Sequence, residues 1–256
     1  IDVLDINDQK QAHYNKPICL FNMTKSITFL AFILITGSIC TAQSESLIKD
    51  SNLNQWQNIY PHGEAKIIDN ELHLISPKQW FFITNKKYKD FFFEAEIKMP
   101  EVKEYSNSGF IFRAQTRKNK NGTEEVFGYQ AEVDPTGRKW SGGLYDQGRR
   151  GWLNPLHKKR SHPDEDFKEN LSPEWSEEKS NTYKHLEWNK YRIECKGSEL
   201  KISVNGILTT HVIDTKDTEG YIGIQHHGSK AFGKTQDLTN TIKFRNLTIT
   251  EIALDQ

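Results

Sequence analysis

Cysteine is scarce in this chain, three in 256 residues, so no disulfide framework organises it. Charge of one sign is also missing: 34 Lys+Arg stand against 34 Asp+Glu. That balance offers no electrostatic footprint for a phosphate backbone and argues against nucleic-acid binding. There is no HExxH, no CxxC pair and no EF-hand loop, which removes the familiar metal sites. GxGxxG, the P-loop and the GxSxG elbow are absent too, which disfavours nucleotide binding and serine hydrolysis. No internal repeat, low-complexity tract or sustained helical period occurs, and no apolar run is long enough for an integral membrane span. What is present is a globular composition, 36 % hydrophobic and 11 % aromatic.

The amino-terminal region stands apart. Met23 and Lys25 precede an apolar run from Ile27 to Ile39, broken only by Thr28, Thr36, Gly37 and Ser38. Cys40-Thr41-Ala42 then puts small residues at both positions that a signal peptidase reads. Residues 23–42 are therefore expected to be a secretory signal peptide, with 1–22 an upstream extension. The protein is expected to be exported, periplasmic or secreted. Cys40 leaves lipoprotein anchoring as an alternative, although Ile39 is bulky for the position before a lipidated cysteine. Removal of 1–42 leaves Cys195 as the one thiol, so the core must supply the stability.

From there the recurring signal is the short period-2 run bounded by Gly, Asn, Asp and Pro. Phe93, Ala95, Ile97 and Met99 share one face of such a run, and Glu94, Glu96 and Lys98 the other. Further strands are expected near 66–69, 71–75, 80–84, 109–115, 128–134, 191–196, 199–204, 207–213, 220–225 and 241–252. Asn205-Gly206 between two of them is the strongest type I′ hairpin signal in the chain. Pro173–Ser180 is expected to form a turn or two of helix. About ten strands without alternating helices predict an all-β, two-sheet antiparallel sandwich or jelly roll. The charged, proline-containing segment Asn154–Glu187 reads as a long insertion or lid loop rather than a linker.

Alternation also proposes a site. Ile111 pairs with Arg113 on one strand face, Gln130 with Glu132 and Asp134 on another, and Gln225 with His227 on a third. If these are one side of one sheet, they form with Glu96 a polar floor; the plainer alternative is a solvated outer face. His226 and His227, adjacent on a strand, must point to opposite sides, so at most one joins Gln225. The glycine-rich stretch Gly142–Trp152 is either a surface turn or a sugar-binding rim. In the second case Tyr145 and Trp152 stack on a pyranose while Asp146 and Arg149 grip hydroxyls.

Six segments in register carry a resemblance. They are Asn107–Arg113 (NSGFIFR), Gly128–Asp134 (GYQAEVD) with Ser141–Tyr145 (SGGLY), Glu187–Ile193 (EWNKYRI), Val204-Asn205-Gly206, Gly223–Gly228 (GIQHHG) and Ile242–Leu247 (IKFRNL). Together they resemble the 3-keto-disaccharide hydrolases, also described as 3-keto-glucoside 1,2-lyase/3-keto-2-hydroxy-glucal hydratases and formerly as domain of unknown function 1080. The resemblance runs from about Ser46 to Ile252 and predicts a single domain over 46–253, a concanavalin-like jelly roll. It implies an exported enzyme acting on an oligosaccharide or glycoside already oxidised at C3 by a separate, cofactor-dependent 3-dehydrogenase of glucosides.

The implied chemistry is removal of the acidified C2 proton, an enolate at C3 and β-elimination of the anomeric oxygen, with rehydration giving net hydrolysis. It needs a base, a cation for the enolate and an acid for the leaving oxygen. The catalytic set expected is His227 and Glu132, as base and acid in either order, with Arg113 on the enolate. Substrate contacts are expected from Glu96, Gln130, Asp134, Tyr145, Asp146, Arg149, Trp152 and Gln225. No cofactor is expected; a divalent cation held by Glu132 and Asp134 is the alternative to Arg113. Relatives often carry Asp where this chain has His226, so no role passes to that position. The insertion 154–187 is expected to select the aglycone.

Two rivals remain open from sequence. The fold also serves non-catalytic carbohydrate-binding modules, although clustered charges fit those less well. A conventional endo-glucanase needs Glu-x-Asp-x-x-Glu or Glu-x-Asp-x-Glu; Glu132-Val133-Asp134 begins that pattern and Pro135-Thr136-Gly137 ends it without the second Glu.

Overall fold

Alternating burial organises the chain into strands, and the computed structural model describes residues 43–49 and 52–252. The signal peptide and upstream extension expected over 1–42 lie outside the described residues. In chain order the strands are β1 (Ser44–Ser46), β2 (Trp56–Gln57), β3 (Glu64–Ile68), β4 (Glu71–Ile75), β5 (Trp80–Tyr88), β6 (Phe91–Lys98), β7 (Ser108–Lys118) and β8 (Glu124–Val133). They continue with β9 (Leu144–Gln147), β10 (Gly151–Asn154), β11 (Phe167–Asn170), β12 (Asn189–Lys196), β13 (Glu199–Val204), β14 (Ile207–Asp214), β15 (Gly220–His226) and β16 (Ile242–Glu251). Two short helices, α1 (Glu177–Asn181) and α2 (Lys230–Thr235), complete the set.

The strands form two antiparallel sheets, as the sequence predicts. One runs β11-β14-β13-β12-β6-β16-β4-β3, with β1 beside the far half of β16; the other runs β10-β9-β8-β7-β15-β5-β2. β6 shows the reason for the layering: Phe91, Phe93, Ala95 and Ile97 are buried while the residues between them face outward. Between the sheets Phe110 of β7 sits 5.7 Å from Phe93, 5.0 Å from Tyr191 and 5.8 Å from Phe244, ring centroid to ring centroid. Three strands of one sheet thus close around one ring of the other. Each such buried side chain is worth about 1.5–3 kcal/mol of apolar transfer.

Turn chemistry fixes the register. Asn205 (φ 48) and Gly206 (φ 87) are both left-handed between β13 and β14, the type I′ geometry that Asn-Gly favours. Asp69 (φ 51) and Asn70 (φ 62) do the same between β3 and β4. A bulge between Arg245 and Thr248, with Asn246 at φ 53, shifts the inward set of β16 from Ile242 and Phe244 to Leu247 and Ile249.

Two expectations change. The stretch 142–152 is a β9–β10 hairpin, not a turn, because Tyr145 pairs with Trp152 across it. The segment 154–187 is not a free lid: β11 adds an edge strand to β14, and Ser176 caps α1 through its side chain on Lys179 N. Among the described residues no helix is long and apolar enough to cross a membrane.

Candidate active site

The polar residues of β8 point away from the core, and there they build a floor. Tyr129, Ala131 and Val133 pack between the sheets, so Gln130 and Glu132 emerge on the opposite face. β7 lies between β8 and β15. Gly109 of β7 sits opposite Glu132, and a Cβ there would come within 2.3 Å of Gln130 Nε2. Its missing side chain lets Gln130 lie across β7 and donate from Nε2 to Gln225 Oε1 of β15 at 2.9 Å. The same nitrogen lies 3.1 Å from Glu132 Oε2. Tyr191, reaching from the core, donates to Glu132 O at 3.0 Å and pins the backbone beneath.

Above this floor is a cavity of about 220 Å³. Gln130, Glu132, Gln225 and His227 line it, with the aromatic pair Tyr145 and Trp152 as one wall. Glu132 is 4 % exposed. Burial, and then the negative charge of Asp134, push its carboxyl up to about 8, while Arg138 and the hydrogen bond from Asn107 act in the opposite direction. At neutral pH this carboxyl is therefore protonated and able to give a proton. His227 is shifted the other way, its imidazolium disfavoured by burial, so the ring is neutral and able to accept one. Its Nδ1 is buried with no protein partner, and its ring stands edge-on to Tyr105 at 5.0 Å.

Three further buried side-chain atoms of cavity residues also lack protein partners: Asn107 Oδ1, Gln130 Oε1 and Trp152 Nε1. Two are acceptors and one is a donor. A sugar hydroxyl, which both donates and accepts, satisfies either kind.

His226 separates from its neighbour as the strand geometry requires. Its Nε2 donates to Asn240 O at 2.9 Å, its Nδ1 accepts from Gly228 N, and burial lowers it to about 4. It is a neutral structural group.

The remaining expected residues lie elsewhere, each for a physical reason. Arg113 does not reach the floor. A register shift in β7 between Phe112 and Gln115, with Arg113 at φ 45, breaks the alternation, so Arg113 follows Phe112 inward. There it is fully buried and bonds Lys89 O, Gly197 O, Asp217 O and Asp90. Glu96 belongs to the other sheet; Arg245 and Asn246 hold its carboxylate. Asp146 alternates away from Tyr145, and Arg149, in the turn after β9, joins it in a buried network in which Arg149 also bonds Asp217, and Arg150 bonds Asp146, Asp164 and Asp214.

Asp134 lies just past β8. One carboxylate oxygen accepts from Thr136 N and Oγ1, and the other accepts from Arg138 Nε at 2.7 Å. It acts on the site through Arg138, whose Nη2 is 3.5 Å from Glu132 Oε1 and whose guanidinium stacks 4.7 Å from the Trp152 ring. Among the described residues no group of three His, Cys, Asp or Glu side chains could hold a metal ion, and Asp134 is committed to protein donors.

Several lining residues escape sequence reasoning. Arg138, Arg160, Tyr105, Gln79 and Gln147 come from loops or a strand end, where no period aims a side chain. Asn107 had a signal, since it opens the NSGFIFR segment; its Nδ2 donates to Glu132 Oε1 at 2.9 Å and lies 3.1 Å from Tyr105 Oη.

A family model described as a 3-keto-alpha-glucoside-1,2-lyase-like domain matches residues 43–250. No curated protein matches the chain. Among solved structures, the chain is similar to the carbohydrate-binding module CBM66 from Bacillus subtilis, at 16 % identity and TM-score 0.51, over 78 % of this chain and 98 % of that one. It is also similar to a candidate glycosyl hydrolase from Parabacteroides distasonis ATCC 8503, at 18 % identity and TM-score 0.50, over 82 % of this chain and all of that one. At such identities the likeness shows the fold alone.

Proposed function

The chain belongs to the 3-keto-alpha-glucoside-1,2-lyase-like family, and from that premise we propose that it cleaves 3-keto-glycosides by elimination across C1 and C2. Neutral His227 takes the C2 proton, whose acidity comes from the C3 carbonyl. The released electron pair passes to the C3 oxygen as an enolate and returns as the C1–O bond breaks, forming the C1=C2 double bond. Glu132, protonated at neutral pH, gives its proton to the departing anomeric oxygen. Arg138 and Arg160 take the enolate-stabilising role that sequence reasoning gave to Arg113, since both line the cavity. Addition of water to the 2-hydroxy-glucal product completes a net hydrolysis without any redox change.

The observation that carries this reading is one cavity holding a buried carboxyl and a neutral histidine, shifted in opposite directions, beside two guanidinium groups. Opposed shifts of that kind separate acid from base. A 3-keto sugar requires earlier oxidation at C3, so a separate glucoside 3-dehydrogenase supplies the substrate under this proposal. Export through residues 23–42 belongs to the proposal as well.

The test is incubation of the protein lacking residues 1–42 with 3-keto-trehalose and, separately, with trehalose. Consumption of the keto sugar alone is expected. Cleavage of plain trehalose would replace the elimination with conventional glycoside hydrolysis, and binding of either sugar without turnover would reduce the protein to a binding module.

A further inference from the structure

His227 and Tyr105 line two cavities, not one. Adjoining the sugar cavity, and sharing this ring pair with it, is a second space of about 440 Å³ bounded by Pro77, Glu104, Gly228 and Lys230. The two spaces differ in chemistry. The first is ringed by amides, guanidinium groups and a carboxyl. The second offers the pyrrolidine of Pro77, the side chain of Tyr105, a residue 56 % exposed, and a glycine backbone. Its one carboxylate asks nothing of a ligand, because Glu104 accepts from Ser229 Oγ, Lys230 N and Asn240 Nδ2. Lys230 makes no ion pair among the described residues, and its ammonium can meet a hydroxyl.

The size of the first cavity requires such a neighbour. At about 220 Å³ it falls below the ~300 Å³ at which pockets for drug-sized ligands begin, which suits one sugar ring and not two. The departing half of a glycoside must therefore lie outside it, past the base that borders both spaces and acts at C2, the carbon next to the scissile C1–O bond. His227 marks that side.

We propose that the Pro77–Tyr105–Lys230 cleft is the leaving-group subsite, taking a neutral, flat-faced aglycone, a second pyranose or an aryl group, stacked on the Tyr105 ring. The assignment rests on the 3-keto-glycoside reading above. The bond that breaks then lies at the Tyr105–His227 partition, with the oxidised ring over Gln130 and Gln225. Aglycone choice moves away from the insertion 154–187, which contributes no lining residue to this cleft.

The experiment compares kcat/KM for an aryl 3-keto-glucoside with that for methyl 3-keto-glucoside, in the wild type and in Tyr105→Ala, Tyr105→Phe and Lys230→Trp. Tyr105→Ala removes the platform, and Lys230→Trp crowds the cleft from its exposed rim. Each should lower the aryl-to-methyl ratio by about tenfold, the loss of one ring contact, while Tyr105→Phe restores it. A ratio unchanged in both Tyr105→Ala and Lys230→Trp, with the wild type active on both substrates, would overturn the subsite and leave the reaction standing. A wild type inactive on both would overturn the reaction, and the subsite with it.

Discussion

Replacing Glu132 with glutamine tests the electrostatics of the site without needing a substrate. The side chain keeps its shape, and its two hydrogen bonds, from Asn107 and Gln130, can be re-made. Asn107 Oδ1, which has no protein partner, can turn to accept from the new amide. The change removes a titration. In the wild type the carboxyl sits near 4.5 when the chain is unfolded and is pushed up to about 8 by burial and Asp134 in the fold. Between those values the folded protein holds a proton that the unfolded chain has released. Its contribution is fully present below pH 4.5 and is lost as pH rises through 8. One proton corresponds to about 1.4 kcal/mol per pH unit, so the whole interval amounts to a ceiling of about 5 kcal/mol. Urea unfolding followed by tryptophan fluorescence at pH 5 to 9 reads this directly. The stability of Glu132→Gln relative to wild type should climb by about 1.4 kcal/mol per pH unit up to pH 8 and then level. A constant offset between the two would be harmless. Parallel profiles from pH 5 to 8 would show that the carboxyl ionises normally in the fold, and would remove it as the neutral-pH acid.

Four other perturbations discriminate between site and scaffold. Arg113→Met should cost about 3–5 kcal/mol in thermal unfolding, because Asp90 and three backbone carbonyls lose a buried cation; a loss under about 1 kcal/mol contradicts the clamp. For the keto-glycoside reaction kcat/KM should rise as His227 loses its proton, hold a plateau and fall above about pH 8 as Glu132 ionises, whereas a rate still climbing at pH 9 rejects Glu132 as acid. His227→Ala should lower the plateau about 10²–10⁴-fold with unfolding unchanged, and a near-normal rate removes it as base. Gly109→Ala should push Gln130 off Gln225 and reduce kcat/KM about 10–10²-fold, for about 1–3 kcal/mol of overpacking; unaltered kinetics would mean the amide relay does not position substrate.

Legibility followed periodicity. β6, β12 and β13 alternate strictly enough that their inward residues can be read from the chain, and Asn205-Gly206 announces its own turn. β1, β2, β9, β10 and β11 hold two to four residues each, too few for a period, and exist because neighbouring strands offer an edge. Within the site, Gln130 and Glu132 were legible because β8 runs without a break beneath them. Arg113 was misplaced because one extra residue in β7 inverts the face, and nothing in Phe112-Arg113-Ala114 marks a bulge. Glu96 was misplaced because alternation says which residues share a face but not which sheet carries it. Arg138 and Arg160 became visible only when loops distant in sequence closed on the same opening.

The floor residues are held before any ligand arrives, and that divides the site into a fixed part and an adjustable part. Gln130, Glu132 and Gln225 are at most 4 % exposed and hydrogen-bonded to one another or to their strands, with the interlocked rings of the core directly beneath. Their rotamer entropy is surrendered on folding, so binding draws no further ordering cost from them. Tyr105 and Arg160, both exposed at the mouth, keep that freedom. Adaptation to differently shaped glycosides therefore falls to the rim, while the atoms that move protons stay where the sheet has set them.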